Sequence, residues 1–499
     1  MSERLKMVRG LPAYEWWRNP PDEVLLRVYV FNVTNGKEFL SGKEKLKVEE
    51  VGPFIFREKL RHTNITFNDN GTLTYIAHRT AHFLPEMNTL SLDARLVLPN
   101  LPLLGMASHL HDQSFVVKMG FNFFLRRFDA QPLVEMSVNE YLWNYTDPML
   151  KFGRRFMPFF VPDDNIGILH TIYHDFSDEV TVYIGPGNGE RFFLIDKYRG
   201  SRYLGYWDEK EPCDVAEGSS EGVAYPQFLK KNFTLLYLRK TLCRVAPLYY
   251  GADTWRKGML AYRFDLPNNS FDTSENNPEN SCYIRTDSDG MALNHLPPGL
   301  LDVSPCYYNF PIAASFPHFL HGDLSILQSM EGLHPDHNKH GSYVIVEPKT
   351  GVPMESRARS QSNLVVRNGT GIHRVGRFSG MVLPMFWAEY NQVDLPWYIS
   401  SLMYFVVVIL PTLQRVISFI LVSLGASLLV AGVFGCLCVP TTTICRHRNR
   451  NFPDNICLEG DGGDKNCINK KCKNKTILVP YSYSSLDLIP SSRSSSGEI

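Results

Sequence analysis

Residues 24–31 read VLLRVYVF. β-Branched and aromatic side chains dominate, with Asn-Pro-Pro before the run and Asn-Gly after it. A short run of that composition between turn formers is a strand. Similar runs recur at residues 72–83, 179–184, 191–196, 258–264, 342–347 and 362–366. GPGNG at residues 185–189 lies between two of them and marks a hairpin turn. It is not a phosphate loop, because no Lys-Ser/Thr and no helical pattern follow it. Helical patterns gather in the first half. MASHLHDQSFVVKMGFNFFLRRF (106–128) is long, apolar and free of proline, and VEMSVNEYLWNY (134–145) repeats apolar groups at helical spacing. The fold class is therefore α+β, many strands with a helical cluster at about residues 88–155. No internal repeat is visible.

Near the C-terminus, VISFILVSLGASLLVAGVFGCLCV (416–439) carries no charge and is long enough to cross a bilayer with some tilt. Arg446, His447, Arg448 and Arg450 follow, which places the C-terminal side in the cytosol. The expected organisation is an exported region over 1–400, a juxtamembrane segment at 401–415, a transmembrane helix at 416–439 and a cytosolic tail at 440–499. The tail is polar, ends in PSSRSSSGEI and has a disordered composition. Ser423, Ser427, Ala431 and Gly435 are four apart and form a ridge of small residues. Another helix can approach such a ridge closely, so a homo-oligomer through this helix is one expectation. Residues 1–30 show no signal peptide. The expectation is a first anchor ahead of Met1, lost through a fragment, an alternative start or a gene-model error. The alternative is a cytosolic isoform in which disulfides and glycans never form.

The formal net charge is zero, which leaves no electrostatic footprint for nucleic acid. Phe, Trp and Tyr make up 12% of the chain, enough bulk for a large core. Cys213, Cys243, Cys282 and Cys306 share one window of the exported region and suggest two disulfides, in any of three pairings. Their long spacings do not fit a zinc site. N-x-[ST] acceptors at Asn32, Asn64, Asn70, Asn144, Asn232, Asn268 and Asn368 agree with a glycosylated outer face. The acceptor at Asn474 falls on the cytosolic side and should stay bare. Cys436, Cys438 and Cys445 stand at the cytosolic membrane boundary as palmitoylation candidates, or as ordinary thiols. Tyr483 and Leu486 fit a Tyr-x-x-Φ endocytic signal.

Catalytic patterns are missing from the sequence. There is no G-x-S-x-G, no H-E-x-x-H, no P-loop and no recognisable nucleophile–base pair, so neither an enzyme nor a cofactor is expected. His334, His337 and His340 sit among Pro335, Asp336, Asn338 and Gly341 and read as solvated loop histidines, not metal ligands. His109 and His111 would point to different faces of a helix. A basic group stands out: Lys118, Arg126 and Arg127 on the long helix, then Lys151, Arg154 and Arg155 after the second. The plainer account is cations near the negative end of a helix. The functional account is an exposed patch for anionic ligands or particles.

Several segments together are specific: AYEWWRNPPDEVLLRVYVFNVTN, EEVGPFIFRE, NEYLWNYTDPML, IDKYRGSRYLGYW, GLLDVSPC, PIAASFPHFLHGD and HGSYVIVEPKTGVPMESRARSQSNLVV. In that order, from about residue 13 to 387, they resemble the class B scavenger receptor family, its insect branch above all. The relatives include sensory-neuron and lysosomal integral membrane proteins. The resemblance implies a large antiparallel β-barrel-like ectodomain with an apical helical bundle, an internal hydrophobic tunnel and anchors at both ends. Its implied ligands are fatty acids, sterols, carotenoids or lipoprotein-like particles at the plasma membrane. A lysosomal or endosomal sorting receptor for a protein cargo, or a phagocytic receptor for apoptotic cells or microbes, is the alternative. By the family pattern Cys213 pairs with Cys282 and Cys243 with Cys306, and Arg126 and Arg127 fall near the ligand-binding apical lysines. Two departures stand out. Ile284 replaces a cysteine of a third bridge, which should leave residues 283–305 less constrained. GSSEG (218–222) replaces a Gly-Thr-Asp-Gly turn, and the sequence offers no account of it.

Overall fold

The computed structural model describes residues 7–437 except 22–23, 157–160, 162, 176, 186–188, 287–295 and 393. VLLRVYVF lies in strand β1 (Val24–Val33), with neighbours on both sides. One side leads through β2 (Leu46–Phe67), β3 (Thr72–Phe83) and β4 (Glu179–Tyr183) to β5 (Ile195–Tyr198). The C-terminal wing is built from β6 (Leu235–Arg239), β7 (Arg244–Arg256), β8 (Met259–Asp265), β9 (Tyr343–Val346), β10 (Pro353–Val365) and β11 (Val382–Gln392). β11 pairs with β1, and the strand order is 5-4-3-2-1-11-10-9-8-7-6, antiparallel throughout. The end strands β5 and β6 do not pair with each other. The GSSEG segment lies between them. Ile195 N–H donates to Ser219 O and Gly218 N–H to Ile195 O, while Ser220 exchanges two bonds with Leu236 and Leu238. A non-strand strap thus touches both ends of the sheet.

Register partners share a face of a sheet. Leu26 pairs with Phe56 and Tyr390, and Ala358 with Tyr390, so these four define one inner face. Leu26, Val28, Phe56 and Phe386 pack there against Leu103, Leu104, Leu125, Tyr141 and Leu142 of the helical region. On the opposite face Arg27, Glu389 and Arg359 stand side by side on β1, β11 and β10. Arg27 bonds Glu389 at 2.8 Å and Arg359 bonds it at 2.6 Å, with Glu389 and Arg359 both buried. Two guanidinium groups on one carboxylate hold the strands that unite the wings.

The helical region differs from the expected arrangement in two ways, and one expected strand starts later. The stretch 106–128 is two helices, α2 (Leu101–His109) and α3 (Phe115–Arg127), counting Pro12–Arg18 as α1. His111, Asp112, Gln113 and Ser114 interrupt it, since their polar side chains favour turns and a helix start over a helix interior. The stretch 134–145 opens as a strand, Leu133–Ser137, paired with Arg95–Pro99. Only then does α4 (Val138–Trp143) begin, at a capping box in which Ser137 and Glu140 bond each other's backbone. Residues 191–194 form a turn, and the strand runs over Ile195–Tyr198. α5 (Pro148–Phe156) and α6 (Ile168–Asp175) complete the region. Between Arg95 and Phe156 it therefore mixes helices with a two-stranded sheet.

Disulfides join Cys213 to Cys282 and Cys243 to Cys306, beside the apolar cluster of Trp207, Phe271, Tyr283 and Phe316. Two compact units divide the chain at Leu424/Gly425, and the elements above belong to the first. Trp397–Gly435 is a 39-residue helix long and apolar enough to cross a membrane. It extends upstream of Val416, through the segment expected to be juxtamembrane.

Glu389→Ala leaves Arg359 buried without a counter-charge and is expected to destabilise the fold by about 3–5 kcal/mol. Thermal unfolding of the detergent-solubilised chain measures this, and an unchanged midpoint would sink the assignment. Adding Arg359→Met should recover part of the loss.

Candidate functional site: a charged belt inside an apolar cavity

A cavity of about 810 Å³ lies against the sheet. Apolar lining comes from Trp16 and Trp17 of α1, Leu60, Val344 and the first turns of the C-terminal helix, at Leu402, Met403 and Val406. α1 starts with Pro12 in its first turn, where the missing N–H is harmless. Its Trp17 ring stacks on His62 at 4.3 Å, and Trp16 meets Tyr398 at 5.7 Å. The N-terminal helix and the base of the apolar C-terminal helix therefore meet at the cavity.

A polar belt crosses this apolar wall. Arg79 faces Glu58 at 3.6 Å, and Tyr173 donates to Glu58 at 2.7 Å. Lys240 bonds Glu221 at 2.8 Å, and Tyr75 donates to the same carboxylate at 2.5 Å. Glu221 is the acidic residue of GSSEG. Burial by itself would raise its pKa, but Lys240 and Arg79 hold the carboxyl down at about 2. Arg239 lies over the Tyr390 ring at 4.5 Å. Burial pushes the Tyr390 phenol up to about 12, so it stays neutral. The sequence hid this belt because its members come from six separate segments.

The expected basic patch is partly assembled. Arg126 and Arg127 are exposed at the end of α3, and Lys151 and Arg155 are exposed on α5. Arg154 is exposed too, but bonds Asp164 at 2.8 Å. Lys118 departs from the expectation, since its ammonium turns in to donate to His111 O at 2.6 Å. The same helix shows an apolar stripe that charge reading overlooked. Phe115 is 76% and Phe123 69% exposed, with Val116 and Met119 beside them. Of the glycosylation acceptors, Asn64, Asn70, Asn144, Asn232, Asn268 and Asn368 are exposed. Asn32 is half-buried and its side-chain oxygen accepts from Val97 N–H. The side chain of Cys436 and all of Cys438, Cys445, Asn474, Tyr483, Leu486 and the tail 440–499 lie outside the described residues.

His340 is not a solvated loop histidine. It is buried, and stacks on His318 at 4.7 Å. Glu50, His318 and His340 bring three potential ligand atoms within 4.8 Å of one another. The hydrogen bonds oppose a metal ion. His318 Nδ1 accepts from His334 N–H and His340 Nδ1 from Asp336 N–H, so in each neutral ring the proton sits on Nε2. His318 Nε2 donates to Glu50 at 2.6 Å, as does Trp387 Nε1 at 2.7 Å. These bonds keep the Glu50 carboxyl below its usual range despite partial burial.

A family model described as the CD36 family matches residues 1–436. Scavenger receptor class B member 1 of Cricetulus griseus is 29% identical over 433 residues, 86% of this chain and 82% of the relative. Lysosome membrane protein 2 of Mus musculus is 28% identical over 395 residues, 78% of each chain. The fold and cavity thus come with a receptor class, and the chain belongs to the CD36 family, the class B scavenger receptors.

Burial lowers the pKa of both His62 and His340 to about 4. The unfolded state therefore binds more protons between about pH 6.5 and 4, and stability falls as pH falls through that window. From pH 7 to 5 each histidine should remove about 2 kcal/mol. Unfolding midpoints of native chain and His340→Gln at the two pH values test this. The variant's slope should be smaller, and a flat native profile would contradict it.

Proposed function

We propose that this chain is a cell-surface receptor for lipids and lipid-bearing particles, which captures them on its helical surface and passes lipid through the cavity towards the membrane. The observation that carries this is the cavity itself. Its size lies within the roughly 300–1,000 Å³ of small-molecule sites, and its wall ends on the first turns of the apolar helix. Burying a sixteen-carbon chain at ~0.8 kcal/mol per CH₂ gives roughly 12 kcal/mol before ordering costs, so capture and delivery need no covalent step. The exposed apolar stripe of α3 beside Arg126 and Arg127 suits a lipid surface with anionic groups. Relatives named scavenger receptor class B member 1 support the same reading.

Residence in lysosomes, as a sorting receptor, is favoured by similarity to a protein named lysosome membrane protein 2. Tyr483→Ala should then raise the surface level several-fold in a surface-labelling assay. An unchanged level would remove the endocytic role of Tyr483 and Leu486.

Reversing charge with Arg126→Glu and Arg127→Glu should weaken capture of anionic particles by about tenfold at low salt, and neutral particles far less. Equal loss of both would refute electrostatic capture. Ala358→Phe fills the inner face beside Tyr390 and should lower lipid uptake per bound particle. Uptake at the native rate, with the variant at native surface level, would exclude the cavity as the route.

A further inference from the structure

Where α1 meets β2 a second cleft opens, of about 440 Å³, and it shares no lining residue with the large cavity. Arg9, Arg18 and Arg61 line it. Its one carboxylate, Glu15, accepts from Gly10 N–H at 3.3 Å. Among the described residues none of the three guanidinium groups forms an ion pair, and Arg9 makes a long bond, 3.4 Å, to Ile65 O. Arg18 Nε and Thr63 Oγ1 are buried without a hydrogen-bond partner, and both residues line the cleft. A buried donor left unpaired costs free energy, so the cleft lacks an acceptor. Its walls are fixed, because Trp17 stacks on His62 and His62 Nδ1–H donates to Trp17 O at 2.7 Å. The cleft continues onto the outer face of β2 and β3. Side chains two apart on a strand share a face, about 7 Å from each other. Arg57 and Lys59 therefore line up with Arg61, and the register sets His82 and His78 across from Arg57 and Arg61. Lys59, Arg61, His78 and His82 are exposed. Between residues 57 and 63, and between 76 and 82, the one acidic side chain is Glu58, which lines the large cavity instead. Glu179, paired with Ile76, stands at the edge of this face.

We propose that this face binds a linear sulfated polysaccharide, with one sulfate group seated among Arg9, Arg18 and Arg61 and the next ones running along Lys59 and Arg57. The inference does not depend on the lipid-binding role of the cavity. A planar guanidinium fork matches two oxygens of a tetrahedral oxyanion and bonds them with charge assistance. Arg18 Nε and Thr63 Oγ1 supply donors that have no other use. A row of cations along one strand suits a polymer whose anionic groups repeat along its length, since every contact after the first is made within one complex. A free phosphate or sulfate ion, or a single lipid headgroup, would fill the cleft and leave the row unused.

The test measures binding of the detergent-solubilised full chain to immobilised heparin over a range of salt concentrations. The native chain should bind at low salt and be released as salt rises. Arg18→Gln with Arg61→Gln should weaken binding by about tenfold and flatten the salt dependence, while Arg126→Gln with Arg127→Gln should change it by less than about twofold. Lys59→Gln with Arg61→Gln, both on the exposed face, gives the same reading where Arg18→Gln fails to fold, and unfolding midpoints report folding. Asn64 lines the cleft, so Thr66→Ala, which removes its glycan acceptor, should bind at least as tightly. Desulfated heparin should bind about tenfold more weakly. Equal loss in the two arginine pairs, or no binding at low salt, would overturn the site. Equal binding of desulfated heparin would overturn recognition of sulfate. Inorganic sulfate competing as well as heparin at equal sulfate concentration would leave an ion site only and overturn the polymer. Phosphatidylserine vesicles losing their binding in Arg18→Gln with Arg61→Gln, with heparin unaffected, would replace the polysaccharide by a membrane surface.

Discussion

Glu389 holds the two wings of the sheet together. It accepts from Arg27, 362 residues away in sequence, and from Arg359 on its other flank. β1 and β11 are the one pair of path strands that joins the N-terminal wing to the C-terminal wing. The pairing must bring distant segments together before it gains anything, and that raises the value of a strong, directional contact at the joint. Every cavity residue depends on it, because Glu58 and Arg79 come from one wing and Arg239, Ala358 and Tyr390 from the other.

The interior pays for its polarity with full pairing at most positions. Glu221 is the clearest case: it sits on the strap, yet bonds Tyr75 of one wing and Lys240 of the other. The strap thus contributes both backbone bonds to the end strands and the carboxylate that anchors the belt.

Much of the fold was legible in local patterns. VLLRVYVF announced the central strand, and the uncharged stretch from Val416 announced part of the apolar helix. β2, the longest strand, escaped notice because Gly52-Pro53 and its charged residues break the apolar pattern. Ser137 was hidden for a different reason: a capping box and a strand end share one residue there. The site was less legible than the fold. The burial of His340 is set by His318, distant in sequence, and the inward turn of Lys118 by a backbone carbonyl across the break between two helices. GSSEG had no meaning until β5 and β6 were seen on either side of it.

The strap also sets where the enclosure is weakest. Neighbouring strands elsewhere are zipped along extended ladders, while the edges β5 and β6 are joined through four backbone bonds to residues 218–220. Free energy for local opening scales with what must be broken, so breathing of the wall concentrates along this seam. The residues that bridge this seam, Glu221 and Lys240, are the same ones that charge the interior.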